Sequence, residues 1–163
     1  MLIRSLIFIV SILHSFPLYA ALKPLDLELG KATVKDIKQK YEIKDDYPSF
    51  GGTMYELDIS TVHDNQSTGT AVWCDSKGIV QGVRLFKSKR VLNSVMKLLS
   101  SQYELINSIS VDDVTLNLIV RFKDRDSDSF IHVVVGDLVL TEYYMTPIYR
   151  KILLEQKIIK EPK

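Results

Sequence analysis

Short turn signals between β-type runs constrain the fold of this chain more than any other feature. The runs TAVWC and IVQGVRLF are separated only by Asp75-Ser76-Lys77-Gly78, whose final glycine suits a hairpin built on a type I turn with a bulge. The charged stretch KDRDSDS likewise separates VTLNLIVRF from FIHVVVGDLVLTEYYM. Connections this short favour antiparallel neighbours, because parallel strands need a long crossover. The sequence therefore predicts a meander of antiparallel strands.

The segment that follows Ala21 combines strand and helix signals. Alternating leucines over Leu25–Leu29 predict a short strand, and Gly30 allows a sharp change of direction. Thr33 is then a suitable N-cap, with Asp36 three residues later in the manner of a capping box. We therefore expect a short amphipathic helix here, with its lysine-rich side in solvent.

Two further stretches change to the helical period. One runs from Ser88 to Tyr103, and the other begins at Pro147, where the first turn of a helix tolerates proline. EIKDDYPSFGG, between the first helix and the next β-type run, predicts a loop or an irregular edge, and Gly136-Asp137 either divides the last β-type run or bulges it. No internal repeat is visible. The series predicts an α+β fold, an antiparallel sheet with short helices packed on one face.

Residues 1–20 have the order of a secretory signal peptide. Arg4 precedes the apolar run SLIFIVSIL, and Pro17 is followed by the exit LYA before Ala21. The apolar run is about half the length of a membrane span, for which roughly 20 residues are needed. We expect cleavage, leaving residues 21–163 as a single α+β domain; the alternative is a retained anchor. No cysteine lies near the cut, so no lipid anchor is expected, and no transmembrane segment is expected after cleavage.

The charge balance argues against some partners. After residues 1–20 are removed from the 163-residue chain, 143 residues remain, with 20 basic and 20 acidic side chains. A neutral chain with scattered lysines gives no electrostatic reason to expect nucleic acid or an anionic membrane. We therefore expect a protein or envelope component as the partner and no nucleic acid.

Few residues offer covalent chemistry. Cys74 is the single cysteine, and its place at the end of a strand favours a buried small side chain. A nucleophile needs a base held nearby, and beyond residue 20 only His63 and His132 are present. No GxSxG motif or glycine-rich phosphate loop occurs. No catalytic residue and no cofactor are therefore assigned, although unrelated folds can assemble a catalytic triad from distant residues.

Two polar stretches offer oxygen ligands for a metal ion. His63–Asn65 and Asp124–Asp128 concentrate oxygen ligands, and the aspartates at alternate positions of the second resemble the start of a calcium loop. The central glycine and the distal glutamate of such a loop are absent, and Arg125 opposes a dication. The sequence therefore predicts a polar hairpin turn at 124–128 and no metal site.

Adjacent tyrosines near the end of the last strand provide the one candidate contact surface. Tyr143 and Tyr144 point to opposite faces of a strand, so one is expected in the core and the other at the surface. Tyrosine suits protein recognition because it offers a large contact area at a small cost in rotamer entropy. Both residues are candidates for protein contact, and ordinary strand packing is the alternative.

The run LELGKATVKDIKQKY gives a limited resemblance to known families. Its apolar strand, glycine, capping threonine and short helix resemble small exported bacterial proteins of the SmpA/OmlA type, the outer-membrane assembly lipoproteins also called BamE. It is similar, too, to β-lactamase-inhibitor-protein-like domains. The resemblance covers Leu25 to Tyr41 and implies short helices on an antiparallel sheet, with scaffolding or inhibition by surface contact. No binding residue is carried over from either family.

These features together predict a non-catalytic periplasmic protein that binds or scaffolds through protein–protein contact in the bacterial envelope. The alternatives are a small hydrolase-like periplasmic enzyme that uses His63 or His132, and a secreted effector or adhesin component.

Overall fold

The computed structural model describes residues 22–110 and 118–159. The predicted signal peptide, residues 1–20, lies outside the described residues. The start of the predicted β-type run VTLNLIVRF, residues 114–117, also lies outside them. The described part of the chain contains three α-helices, α1 (Val34–Lys40), α2 (Leu92–Gln102) and α3 (Pro147–Glu155), and eight strands, β1 (Ile43–Ser49), β2 (Gly52–Leu57), β3 (Ser67–Cys74), β4 (Val80–Ser88), β5 (Glu104–Ser110), β6 (Leu118–Lys123), β7 (Phe130–Val135) and β8 (Val139–Met145).

All eight strands form one antiparallel sheet in the order β1-β2-β3-β4-β8-β7-β6-β5. The predicted α+β class and antiparallel pairing are confirmed, with 43% strand against 28% helix, so the sheet sets the architecture. Gly136-Asp137 divides the last β-type run into β7 and β8, because Gly136 donates its backbone N–H to the carbonyl oxygen of Val139 at 2.9 Å and closes a hairpin.

The topology repeats, although the sequence does not. A helix followed by a four-stranded meander occurs first as α1 with β1–β4 and again as α2 with β5–β8. The last strands of the two meanders, β4 and β8, pair with each other in the middle of the sheet. This pairing, called the seam below, is the one place in the described sheet where neighbouring strands are not consecutive in the chain.

Helices cover both faces of the sheet, so the prediction that they lie on one face is wrong. On the first face, Ile37 of α1 and Val95 and Leu99 of α2 pack into one buried cluster with strand residues that include Val83. The opposite face is covered by α3, which buries side chains against alternate residues of the same strands. We call the first side of the sheet the α1/α2 face and the opposite side the α3 face. Strand periodicity shows that a sheet has two faces but not which helix covers each.

The predicted start of α1 is confirmed, whereas the strand predicted before it is wrong. Thr33 and Asp36 form a capping box, in which the Thr33 N–H donates to Asp36 Oδ2 at 2.7 Å and the Asp36 N–H donates to Thr33 Oγ1 at 3.4 Å. A 3-10 turn, Pro24–Asp26, occupies the start of this segment, with Leu25 at a positive φ of 58°. Proline at the start of a segment favours such a turn, and Leu27 still becomes fully buried.

The two edge strands were the least visible in the sequence. β1 lies within EIKDDYPSFGG. Most of its side chains are exposed, so they do not alternate between buried and exposed as in a strand with one buried face. Charges, Pro48 and a bulge between Ile43 and Asp45 are typical of a protected sheet edge. Of the two expectations for this stretch, an irregular edge is the one observed. β5, at the other edge, was not predicted, and Leu105 in it is 53% exposed.

Tyr149 fixes α3 to the sheet. Its ring stacks on Trp73 with a centroid separation of 4.9 Å and an interplanar angle of 11°. The ring also lies against Gly82, where a Cβ atom would overlap it. The Tyr149 hydroxyl accepts a hydrogen bond from Arg84 Nε at 2.8 Å. Burial raises the pKa of Tyr149 to about 12, against the opposing effect of the Arg84 charge, so this hydroxyl stays protonated.

A buried ion cluster fastens the seam on the α1/α2 face. Lys87 of β4 places Nζ 2.9 Å from Glu142 Oε1 of β8 and 2.9 Å from Asp64 Oδ2. The Tyr144 hydroxyl donates to Glu142 Oε2 at 2.6 Å. Burial alone would lower the pKa of Lys87, but the two carboxylates outweigh it and raise that pKa above its ordinary value. Lys87 is therefore charged at neutral pH and joins the two meanders.

Candidate binding site

A groove of about 360 Å³ opens on the α3 face over the first meander. It exists because β3 contributes small residues, Gly69 and Ala71, where larger side chains stand on the neighbouring strands. The lining side chains that bear on its chemistry are Lys44, Tyr47, Glu56, Ala71, Arg84 and Phe86. We call this depression the Arg84 groove.

Arg84 is a side chain of the groove that keeps unused hydrogen-bonding capacity. Its Nε donates to the Tyr149 hydroxyl, while its Nη2 atom is buried and has no hydrogen-bond partner among the described residues. Its Cζ atom lies 5.4 Å from the ring centroid of Tyr143 and 5.7 Å from that of Tyr149. Cation–π contacts of this kind hold a guanidinium in place without neutralising it. Arg84 forms no salt bridge within the described ranges.

The opposite wall of the groove is mixed in charge. The Tyr47 hydroxyl donates to Glu56 Oε1 at 3.4 Å, and the Tyr47 side chain is 40% exposed. Partial burial, together with the Glu56 charge, raises the pKa of Tyr47. Asp58 Oδ1 accepts hydrogen bonds from the Ser60 N–H and hydroxyl at 2.9 and 2.7 Å. Both carboxylates that border the groove, those of Glu56 and Asp58, therefore keep acceptor capacity.

Tyr143 and Tyr144 lie on opposite faces of β8. Tyr144 is buried on the α1/α2 face and bonds to Glu142 in the ion cluster. Tyr143 is half-buried on the α3 face and packs under the Arg84 guanidinium. The role of either tyrosine in protein contact stays a prediction. Tyr143 bears on the candidate site because it positions Arg84.

The structure does not bring the candidate nucleophile and bases together. Cys74 packs among the residues of the α1/α2 face, and burial and then the nearby Asp75 charge raise the pKa of its thiol to about 12. His132 lies between Ile131 and Val133 in β7, so its ring points to the α3 face. His63 is exposed in the loop before β3, and Cys74 lies at the far end of that strand, which is roughly 23 Å long at about 3.3 Å per residue.

His132 is fully buried, and neither ring nitrogen has a hydrogen-bond partner among the described residues. Burial, and then the charges of Arg121 and Arg150, lower its pKa from 6.5 to about 3. In the unfolded chain His132 takes up a proton below pH 6.5, while the folded chain does not, so stability is lost as the pH falls. We expect this residue to lower the free energy of unfolding by about 2 kcal/mol between pH 7 and pH 5.

Urea denaturation at several pH values measures this effect when wild type is compared with His132→Gln. Carboxylate titrations are common to both proteins and cancel in the comparison. The variant should show a shallower fall in stability between pH 7 and pH 5. Equal slopes would mean that His132 does not titrate differently in the two states.

The aspartate-rich stretch at 124–128 closes the β6–β7 hairpin. Asp124 is buried, and its carboxylate accepts hydrogen bonds from the Ser127 hydroxyl at 2.6 Å and the Asp126 N–H at 3.2 Å. Such side-chain-to-backbone bonds are typical of a turn. Within residues 22–110 and 118–159, no three histidine, cysteine, aspartate or glutamate side chains are grouped so that they could hold a metal ion.

Comparisons with protein-family models, with curated proteins and with solved structures give no match to this chain. The resemblance of Leu25–Tyr41 to BamE-type and β-lactamase-inhibitor-protein-like domains therefore stays a prediction. Across the described ranges, no helix combines the length and the apolar character needed to span a bilayer. The Arg84 groove has to be interpreted from its own chemistry.

The groove was missed in the sequence, although two signals for it were present. Arg84 is a charged residue within the central β-type run IVQGVRLF, where an apolar side chain would be usual. Gly69 and Ala71 are small residues two positions apart, on one side of the neighbouring strand. Only the strand pairing brings these residues together.

Proposed function

We propose that this protein is a non-catalytic binding or scaffolding protein of the bacterial envelope, and that it acts by holding a segment of another protein in the Arg84 groove. The observation that carries the proposal is the incompletely bonded Arg84 guanidinium, held between two tyrosine rings in an open depression. Arg84 lines this groove and forms no salt bridge within the described ranges.

Shape and composition support a protein partner. The groove is open to solvent and carries aromatic side chains, Tyr47 and Phe86, beside small residues on its floor. Tyrosine and arginine are enriched where proteins bind one another, because they combine large contact area with directional hydrogen bonds. A groove of this form accommodates one or two side chains of an extended segment.

The proposed location is the periplasm of a Gram-negative bacterium, with secretion as the alternative. It is supported by the signal-peptide pattern of residues 1–20. The resemblance of Leu25–Tyr41 to exported bacterial domains also supports a location outside the cytoplasm.

Site-specific photo-crosslinking in cells tests the proposal. A benzophenone amino acid replaces Tyr47 in the groove in one variant and Phe50 in another. Phe50 is a matched control because it is 36% exposed, close to the 40% of Tyr47, but does not line the groove. We expect one discrete adduct from position 47, mapped by mass spectrometry to a single segment of one envelope protein, and none of that adduct from position 50.

The purified partner should then bind the wild-type protein at least tenfold more tightly than Tyr47→Ala, with Phe50→Ala unchanged. The proposal fails if both positions give the same adducts, or if position 47 gives none.

A further inference from the structure

We infer that the docking of α3 on the sheet is acid-sensitive, and that α3 lifts from the sheet more often at mildly acidic pH because lifting it lets the buried His132 side chain take up a proton. This opening involves α3 and the residues that follow it, whereas the strands and the α1/α2 face stay folded. It is therefore distinct from global unfolding of the chain, and it does not depend on the proposed function.

His132 lies on the α3 face, where α3 meets the second meander. In the sheet it pairs with Arg121 of β6 on one side and with Tyr143 of β8 on the other. Arg150 of α3 lies over the same part of β7, with its Cζ atom 4.5 Å from the ring centroid of Phe130, two positions before His132. Among the described helices, α3 is the one that covers this face. The burial of His132 therefore depends on α3 being docked.

The surroundings of His132 disfavour its protonated form while α3 is docked. The side chain is fully buried, and neither ring nitrogen has a hydrogen-bond partner among the described residues. Burial, and then the guanidinium charges of Arg121 below and Arg150 above, lower the pKa of His132 to about 3. The other charged side chains of α3, Lys151 and Glu155, are exposed and lie 3.8 Å apart, from Nζ to Oε1. No carboxylate of α3 therefore offsets the two arginines.

α3 can lift without the loss of any strand pairing. None of the backbone hydrogen bonds of the described residues joins α3 to a strand. The helix contacts the sheet through a buried cluster that includes Trp73, Tyr149 and Leu153, while the larger cluster of the α1/α2 face contains no residue of α3. Thr146, between β8 and α3, donates its backbone N–H to the carbonyl oxygen of Gln81 at 3.0 Å. This residue is therefore the point about which α3 would turn.

The size of the effect follows from proton linkage. The pKa of His132 is about 6.5 in the open form and about 3 in the docked form, so between these values only the open form binds a proton. Lowering the pH therefore favours opening. Between pH 7 and pH 5 the equilibrium constant for opening should rise about 25-fold. Each opening also releases one contact of Arg84 in the groove, because Tyr149 moves with α3 and its hydroxyl accepts the hydrogen bond from Arg84.

Amide hydrogen exchange followed by NMR tests the inference. Protection factors correct for the pH dependence of the chemical exchange step, so they report the opening equilibrium. At pH 7 the amides of Ile152 and Leu153 in α3 should be less protected than those of Val72 and Val83 in the central strands, because α3 opens locally. The α3 protection factors should fall about 25-fold between pH 7 and pH 5. They should change little above about pH 7.5 and approach a tenfold fall per pH unit below about pH 6.

Two histidine variants make the test specific. His132→Gln removes the titrating group and keeps a neutral side chain of similar size, so its α3 protection factors should fall less than about threefold over the same range. His63→Gln, which changes the exposed histidine in the loop before β3, is the matched control and should keep the wild-type fall. The shape of the wild-type curve is a test even if His132→Gln does not fold, because carboxylates titrate at lower pH than histidine.

Equal protection of α3 and of Val72 and Val83 at pH 7 would overturn the inference, since α3 would then open only by global unfolding. So would α3 protection that stays constant between pH 7 and pH 5, or that falls equally in wild type and His132→Gln. A fall that begins only below pH 5 would assign the effect to carboxylates in place of His132.

Discussion

The Gly82→Ala variant is expected to lose about 3 kcal/mol of unfolding free energy, the upper part of the range for an overpacked core. A Cβ atom at position 82 would overlap the Tyr149 ring, which has no room to retreat because it is stacked on Trp73. The ring must leave this position, and the docking of α3 on the sheet loosens with it. Urea denaturation measures the loss in stability.

Trp73 reports the displacement directly, because it is the single tryptophan of the chain. Its near-ultraviolet circular dichroism should weaken in Gly82→Ala even where the protein remains folded. Gly69→Ala is the matched control, since a Cβ atom there would lie 3.3 Å from Cδ2 of Phe86, a half-buried ring that can shift. Comparable losses in the two variants would argue against the Tyr149 packing described above.

Replacing Lys87 with methionine should cost about 3 to 5 kcal/mol, the range for removal of one member of a buried ion pair. The substitution leaves the Glu142 carboxylate, 2% exposed, without its counter-charge. Asp64 is affected less, because 24% of its side chain is exposed and solvent can stabilise it. Chemical denaturation of the purified variant measures the loss.

A double variant separates the charge from the packing. Lys87→Met combined with Glu142→Leu removes both charges and should recover much of the lost stability, since apolar replacements of buried pairs are often neutral. Its remaining deficit contains the lost acceptor of the Tyr144 hydroxyl. A double variant as unstable as the sum of the single variants would contradict the pairing of Lys87 with Glu142.

Features with a local physical cause could be predicted from the sequence. The capping box at Thr33 depends on four consecutive residues, and the β3–β4 hairpin on a turn that ends at Gly78, which adopts a positive φ of 74°. The start of α3 at Pro147 follows in the same way from Thr146, which caps it. Such signals can be read from the sequence because no distant contact is needed to define them.

Features that depend on distant contacts were missed or wrong. The leucines of Leu25–Leu29 alternate like a strand, yet they reach the core from a 3-10 turn, because burial selects leucine in either conformation. Leu98 of α2 is apolar and is nevertheless 54% exposed, so apolar character alone does not identify the buried side of that helix. The position of α3 on the opposite face follows from the contact of Tyr149 with Gly82, which no local pattern contains.

The candidate site was equally hidden. Tyr143 was identified as a candidate contact residue, but its neighbour Arg84 lies on β4, and the pairing of β4 with β8 could not be derived from hairpin signals. Glu56 and Tyr47 join the groove only because an unpredicted strand, β1, forms beside β2. The sequence contains the individual residues of the groove but does not show that they lie next to one another.

The pairing of β4 with β8 at the seam is also expected to limit the rate of folding. Among the described strands, six of the seven pairings join consecutive strands, whereas Ser88 of β4 pairs with Val139 of β8 across about 50 intervening residues. Closing such a loop lowers the conformational entropy of the chain before the stabilising contacts of β4 with β8 form. We therefore expect each meander to order early by itself, and the pairing of β4 with β8 to be the slow step of folding.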